Sequence, residues 1–511
     1  MWDFFASDAN TVKLMTTTLT SSGAIVEPPA QEPSTPPNPS EAVYEERRDR
    51  FRSAFEVETA RWERIADWRL VAFLAAMVGI VWGVWAGITA LWIIGVVFLA
   101  VFFGLVRYHN IVGRARRRQE LLCEISEEAL ARHRRRWKSL PLRHEQRAPA
   151  GHAYAADLDI FGRASLFHLL DTTNTFLGEA TLARWLAEPS AWSIIPMRQQ
   201  AVAELAPLID MRDDLHLRGR LVTEERPDPG PFLQWAEGER WLVRRPWLLW
   251  WAWISPAIIW PLLLAQLVGF TPFPFYLPFA VANILLTLAV IKPMAGTLAF
   301  ASSAEKGFRQ FADSFELLSD TPFKADALKQ IQGRLKVEGD TAHGLMRRLY
   351  RLTTFVIPPS AQLYVPWQAV TLWDVHVLGA FERWQARAGK EVRGWLEALG
   401  EAEALAALAT LAHANPDWVF PKIEVTADRL AAHDLGHPLL LGGTRVTNSV
   451  EVGPPGTFLL VTGSNMSGKS TLLRAIGVNI VLANAGGACV CHRDASAATD
   501  AVDQHEDRRL A

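Results

Sequence analysis

The stretch FLLVTGSNMSGKSTLLRAIG, residues 458–477, decides how the rest of the chain is read. Gly463-Ser464-Asn465-Met466-Ser467-Gly468-Lys469-Ser470 fits the spacing G-x-x-x-x-G-K-[ST] of a phosphate-binding loop. Its context matters more than the pattern. Phe458–Val461 reads as a buried strand, and the residues from Ser470 to Gly477 read as a helix without a breaker. In such a strand–loop–helix unit the glycines let backbone N–H groups turn inward around phosphates, and the helix N-terminus adds partial positive charge. Lys469 then reaches the β- and γ-phosphates, Ser470 places its hydroxyl on Mg²⁺, and Thr471 helps to hold the α-phosphate. The expected ligand is ATP with Mg²⁺, bound through Gly463–Thr471.

Working back toward the N-terminus, four segments are too apolar for water. Residues 70–106 contain no charged side chain. A bilayer core takes about 20 helical residues, so this stretch is long enough for two spans, 70–86 and 90–106, split near Trp85–Thr89. A second pair follows at 247–268 and 275–291, joined by Gly269-Phe-Thr-Pro-Phe-Pro274. Arg61, Arg64 and Arg69 precede the first span, and Arg107 and Arg114 to Arg118 follow the second. Arg240, Arg244 and Arg245 precede the third, and Lys292 follows the fourth. The two outer turns hold no Lys or Arg. Basic flanks face the cytoplasm. The expectation is a multi-pass protein of the inner (cytoplasmic) membrane, with four transmembrane segments in contact with lipid and both termini cytoplasmic.

The whole-chain charge, 52 basic against 54 acidic residues, names no partner. Residues 107–147 are the exception, with 12 Arg+Lys against 5 Asp+Glu. That run reads either as a juxtamembrane belt for anionic lipid or as a nucleic-acid contact. The three cysteines, Cys123, Cys489 and Cys491, form no disulfide framework and fit a reducing compartment; the lone Cys-x-Cys completes no metal site. Residues 16–41 have the Ser/Thr/Pro-rich composition of a linker.

The middle of the chain, 155–240 and 297–415, shows helical periodicity and no internal repeat. Within it, Ser165, Leu169–Asp171, Thr173, Thr175, Gly178, Leu182, Trp185, Leu186 and Pro189 stand at characteristic spacings. Ile195, Arg198, Gln199, Ala201, Val202, Glu204 and Leu205 continue the pattern. This passage resembles the start of the core (lever) domain of the MutS mismatch-repair family. The loop Thr462-Gly-Ser-Asn-Met-Ser-Gly-Lys-Ser-Thr471 is similar to that family's ATPase loop, with Asn465–Met466 the distinguishing pair. His437-Pro438-Leu439, Val446-Thr-Asn448 and the Ala485-Gly486 helix end also resemble it, whereas Arg445 stands where the family often has an adenine-stacking aromatic. The resemblance implies ATP binding, DNA as a partner and a homodimeric clamp.

The expected fold class is therefore mainly α, with a C-terminal α/β P-loop portion and a MutS-like helical core interrupted by transmembrane hairpins. The expected domains are a disordered segment 1–45, a juxtamembrane helix 46–69, the hairpin 70–106 and a basic helical region 107–154. A core-like domain 155–415, containing the second hairpin at 247–291, and a P-loop domain 416–511 complete the chain. Fewer than 70 residues of this sequence precede the first span, so no mismatch-reading domain is expected there. The 492–511 tail holds too few large aliphatics for the buried strand that carries the second Mg²⁺-site acid, so a truncated, hydrolysis-deficient form is expected. Two other readings stand beside this one: half of an ABC-type transporter, and a non-enzymatic membrane scaffold with a vestigial loop. An ABC loop normally reads Gly-x-x-Gly-x-Gly-Lys, without Asn-Met.

Overall fold

A computed structural model of the chain describes residues 39–142, 152–221, 228–424, 426–464 and 468–491, apart from the side chains of 290–306 and 310. The first two elements are helices α1 (Pro39–Ala86) and α2 (Thr89–His133), which fold back on each other as one long hairpin. Nothing breaks α1 until Gly87, which takes φ 68° as the left-handed end of the helix. Gly87 N–H then donates to Val84 O and Ile88 N–H to Gly83 O, closing the turn. Gly79 and Gly83, four residues apart, let the two helices approach closely. A Cβ on Gly83 would lie 2.4 Å from the backbone N of Trp92, and one on Gly95 2.6 Å from that of Ile80. The turn falls inside the expected split, and the uncharged stretch forms the distal half of both helices. Helix α1 reaches back to Pro39, so residues 39–45 are helical where disorder was expected. Ser40 explains the early start: its hydroxyl bonds to His413 O at 2.6 Å and fixes the first turn against the core.

The proximal half of the hairpin is charged and is laced together. Arg52 pairs with Glu127 at 2.6 Å, and Arg134 pairs with both Glu41 and Glu45. Arg116 lies over the rings of Phe55 and Trp62. Arg118 pairs with Asp214, and Arg132 with Glu128. Much of the basic run 107–147 is thus used inside the fold, which neither reading of it as a free surface anticipates.

The core begins with α3 (Leu166–Leu170), α4 (Phe176–Ala187), α5 (Ile194–Leu205), α6 (Ile209–Arg220) and α7 (Gly230–Glu237). Helix α8 (Pro246–Leu267) and the start of α9 (Leu277–Asp320) form a second apolar hairpin, after which α9 carries the chain back into the core. Helices α1, α2 and α8 are long and apolar enough to cross a membrane, and the apolar stretch Leu277–Ala289 opens α9. Then come α10 (Asp326–Arg334), a two-stranded ribbon of β1 (Lys336–Val337) and β2 (Asp340–Thr341), and α11 (Ala342–Thr353). Helices α12 (Tyr364–Thr371), α13 (Trp373–Ala388) and α14 (Val392–Ala414) complete the bundle. Helix α14 is its axis. Its Ala-rich sequence buries small side chains on most faces, which lets α4, α5, α6 and α10 pack around it.

After α14 the chain forms the antiparallel pair β3 (Leu430–Leu435) and β4 (Asn448–Val452), then the last helix α15 (Lys469–Ala485). Phe458–Val461, expected as a buried strand, takes no strand pairing among the described residues, and Phe458 and Leu460 are exposed. A parallel strand is buried by neighbours on both sides. The two strands nearest in sequence, β3 and β4, bond to each other instead. The described C-terminal part is therefore a hairpin and a helix, not the expected α/β sheet. One apolar core runs from Ala155 to Val490 and includes Val478, Val481 and Leu482 of α15.

Candidate phosphate-binding site

Helix α15 starts where the glycine pattern places it. Gly468 precedes it with φ 82°, a left-handed conformation that favours glycine, and offers no side chain to cap the helix. The first intrahelical bond runs from Leu472 N–H to Gly468 O at 2.9 Å. The N–H groups of Lys469, Ser470 and Thr471 thus head the helix without a side-chain cap, at its positive end. The Lys469 ammonium folds back across the loop, donating to Gly463 O at 2.6 Å and Ser464 O at 2.5 Å. Ser470 and Thr471 are exposed beside it, while Asn465, Met466 and Ser467 lie outside the described residues.

The rest of α15 is held rigidly. Asn479, buried, donates from Nδ2 to Gly436 O at 2.9 Å and to Ala475 O at 2.7 Å, and accepts from Val490 N–H at 2.8 Å. Cys489 exchanges backbone bonds with Val419, and Gly436 N–H donates to Val490 O. The segment after α15 is in this way stitched between the 418–420 and 436 strands of chain. Burial drives the Cys489 thiol pKa up, which makes it inert rather than a ligand or nucleophile. Arg474 pairs with Asp159 at 2.9 Å. Gly477 admits the Leu158 side chain, and Gly486, at φ 89°, admits Arg198.

The spaced positions of 165–205 organise helices α4 and α5, against which α15 packs. Ser165 and Thr175 cap α3 and α4 by accepting from His168 N–H and Gly178 N–H. Glu403 of α14, buried, accepts from Asn174 N–H, Thr175 N–H and the Thr175 hydroxyl at 3.3, 3.0 and 2.7 Å. Arg198 lies 3.7 Å over the Trp185 ring, and Gln199 donates to Pro421 O at 2.9 Å. Glu204 accepts from Lys324 N–H and Ala325 N–H, fixing the start of α10. The spaced residues of 165–205 are structural, and two of them, Arg198 and Gln199, touch the segments that flank the loop helix.

Arg445 lies over the Trp418 ring with its Cζ 5.4 Å from the centroid, and donates to His437 O and Leu440 O. Next to it, Arg135 is buried at the end of the first hairpin and donates from Nη2 to Pro438 O at 2.9 Å. Burial and the Arg445 charge lower its pKa to about 9. Burial, then Arg474, lowers that of His437. Sequence reasoning missed Arg135, Glu403 and Asn479. Arg135 lies within a run of like charges that hides it, and Glu403 sits in an Ala/Leu-rich helix where an acid reads as solvated. Asn479 carries a usable signal, a lone amide among Val and Ile.

No family model matches the chain. It is 45% identical over 64 residues to the DNA mismatch repair protein MSH6 of Arabidopsis thaliana, covering 11% of this chain and 5% of that protein. It is 41% identical over 90 residues to the DNA mismatch repair protein MutS 1 of Halobacterium salinarum, covering 17% and 10%. The chain carries a MutS-related segment. The MutS of Sorangium cellulosum gives 36% identity over 114 residues, 21% of this chain and 12% of that protein. The alignments to these MutS relatives span between 5% and 12% of their length.

Proposed function

We propose that the chain is a membrane-anchored, MutS-like protein that binds Mg-ATP through Gly463–Thr471 on the cytoplasmic side of a bilayer. The observation that carries this reading is the Lys469 ammonium held across the loop, next to the uncapped N–H groups that head α15. Backbone N–H groups and a lysine converging at a helix N-terminus are what a phosphate chain requires. Lys469 would balance the β- and γ-phosphates, the Ser470 hydroxyl would reach Mg²⁺, and Thr471 would hold the α-phosphate. Arg445 stands where the family often has an adenine-stacking aromatic, but its guanidinium is taken up by the Trp418 ring, His437 O and Leu440 O, so no contact with the base is assigned to it. The proposal is for binding and leaves hydrolysis unassigned.

Two apolar hairpins support the membrane part. Their apolar residues, among them Val84, Trp85, Trp250, Trp253 and Leu267, are exposed in the folded chain, as lipid-facing side chains are. The basic flanks support a multi-pass inner-membrane protein with both termini and the loop on the cytoplasmic side. DNA and a second copy of the chain are partners carried by the MutS resemblance alone.

The test is Mg-ATP binding to the purified full chain in detergent, compared with Lys469→Ala. A hydrogen-bonded charge contributes about 1.5–3 kcal/mol, so the variant should bind about tenfold to a hundredfold more weakly. Unmeasurable binding in both proteins, with helix content intact, would replace this reading with the scaffold.

A further inference from the structure

Between Arg351 and Asp374 the chain carries no charged residue: LTTFVIPPSAQLYVPWQAVTLW, residues 352–373. Between the end of α11 and the start of α13 this stretch holds the short helix α12 and the turn before it; Tyr364, Ala369 and Leu372 face the core, and a second set of apolar side chains points outward. Leu363 is 75% exposed and Val365 56%, and Phe355 and Trp367 are also exposed. It is too short to be a span, because the eight residues of α12 rise only about 12 Å against a core of about 30 Å.

Its position gives the exposed face a meaning. The Ala369 carbonyl accepts from Asn283 Nδ2 at 2.9 Å. Asn283 lies in the apolar start of α9, and its Oδ1 accepts from Trp251 Nε1 and the Ser255 hydroxyl of α8. Ser255 lies nine residues beyond Pro246, or about 13 Å along α8. Half the thickness of a bilayer core is about 15 Å. Helix α12 is thus bonded to the second apolar hairpin well inside the depth that hairpin occupies. His376 of α13 reaches the same hairpin, at Ala252 O.

The polar groups of the stretch are arranged as lipid demands. Tyr364 and Gln368 both donate to Asp374, at 2.5 and 2.6 Å. Trp373 Nε1 donates to Phe355 O, and the hydroxyls of Thr353, Thr354 and Thr371 each bond to a backbone carbonyl one helical turn back. Pro358, Pro359 and Pro366 remove three backbone donors that would otherwise need partners. Arg347, Arg348 and Arg351 precede the stretch and are at least half-exposed or exposed, as a basic cytoplasmic border is.

We propose that residues 355–373 form a third membrane element, a re-entrant segment whose Phe355, Leu363, Val365 and Trp367 side chains enter the cytoplasmic leaflet beside α8 and α9. The occupant of this apolar face is lipid, because the face is continuous with that of the hairpin to which α12 is bonded. Ser360 and Gln362, in the turn before α12, lie at the headgroup level. The inference rests on the membrane reading of the two hairpins.

The test uses the full chain in liposomes, with Cys123→Ser and Cys491→Ser so that only the buried Cys489 remains. Single cysteines are introduced as Leu363→Cys or Val365→Cys, with Val84→Cys as the hairpin control and Val446→Cys as the aqueous control. Each is labelled with an environment-sensitive fluorophore and quenched either by lipids carrying a shallow doxyl group or by iodide. The expected result is loss of emission to doxyl lipid and protection from iodide at 363, 365 and 84, with the reverse at 446. Iodide quenching at 363 and 365, with lipid quenching retained at 84, would overturn the inference and leave the hairpins standing. Protection from both quenchers at 363 and 365 would likewise overturn it, in favour of a protein partner or a second copy. Iodide quenching at 84 would overturn the membrane reading itself.

Discussion

Arg135 Nη2 donates to the carbonyl of Pro438 at 2.9 Å, bonding the end of the first long hairpin to the turn that packs against the loop helix. Arg135 holds φ 52°, an unfavourable conformation for a side chain of its size, and also donates to Arg132 O at 2.6 Å. Asn479 of α15 grips Gly436, two residues before Pro438. A short path of hydrogen bonds therefore runs from α2 to α15. Tyr44 and His133 contact His413 and Ala414 at the end of α14, where the chain leaves the bundle for the C-terminal part.

Removing this link should loosen the C-terminal part without unfolding the hairpin. Arg135→Ala leaves buried carbonyls without a donor, at a cost of about 1–3 kcal/mol. Amide hydrogen exchange at 436–440 and in α15 is expected to quicken, with exchange in α1 and α2 unchanged. Uniform quickening throughout the chain, or none, would contradict the link.

Gly178 has no room for a side chain. A Cβ there would lie 2.0 Å from Glu403 Oε2, the carboxylate that organises the start of α4. Gly178→Ala should displace Glu403 from Thr175 and cost about 1–3 kcal/mol, read as a lowered melting temperature of the detergent-solubilised chain. An unchanged melting temperature would show that the carboxylate is not held there.

His413 makes the docking of α1 sensitive to acid. Burial, followed by the charges of Arg212 and Arg47, lowers its pKa from 6.5 to about 4. Tyr44 and Asp213 also face this cluster. The folded-state pKa lies below the unfolded value, so the contribution of neutral His413 is complete above pH 6.5. It is lost as pH falls from there toward 4, because the unfolded chain takes up the proton first. Melting temperature measured across that window should fall more steeply for the wild type than for His413→Gln. Parallel profiles would assign the acid sensitivity elsewhere.

The hairpin was legible in the sequence because the uncharged run 70–106 and its split near Trp85–Thr89 are local signals. The start of α15 was legible for the same reason: Gly468 and Lys469 stand next to each other in the chain and in the site. The pairing of β3 with β4 was not, because nothing near Phe458–Val461 says which strands will be its neighbours. The roles of Arg135 and Glu403 were equally hidden. Each depends on a carbonyl or amide more than 200 residues away, and a charged side chain in a helix looks solvated until the fold buries it. The uncharged stretch 352–373 drew no reading from the sequence, because what sets it beside the second hairpin is the Asn283–Ala369 bond, between residues far apart in the chain.

The central claim is a nucleotide-binding loop on the inner face of a membrane, and one photolabelling measurement tests both halves of it. Sealed inverted vesicles and sealed right-side-out vesicles, each holding the full chain, are exposed to a photoreactive ATP analogue with Mg²⁺. The account predicts labelling of the wild type in inverted vesicles only, competed by ATP and lost in Lys469→Ala. Labelling from the outer side, or none in inverted vesicles whose protein is folded, would contradict it.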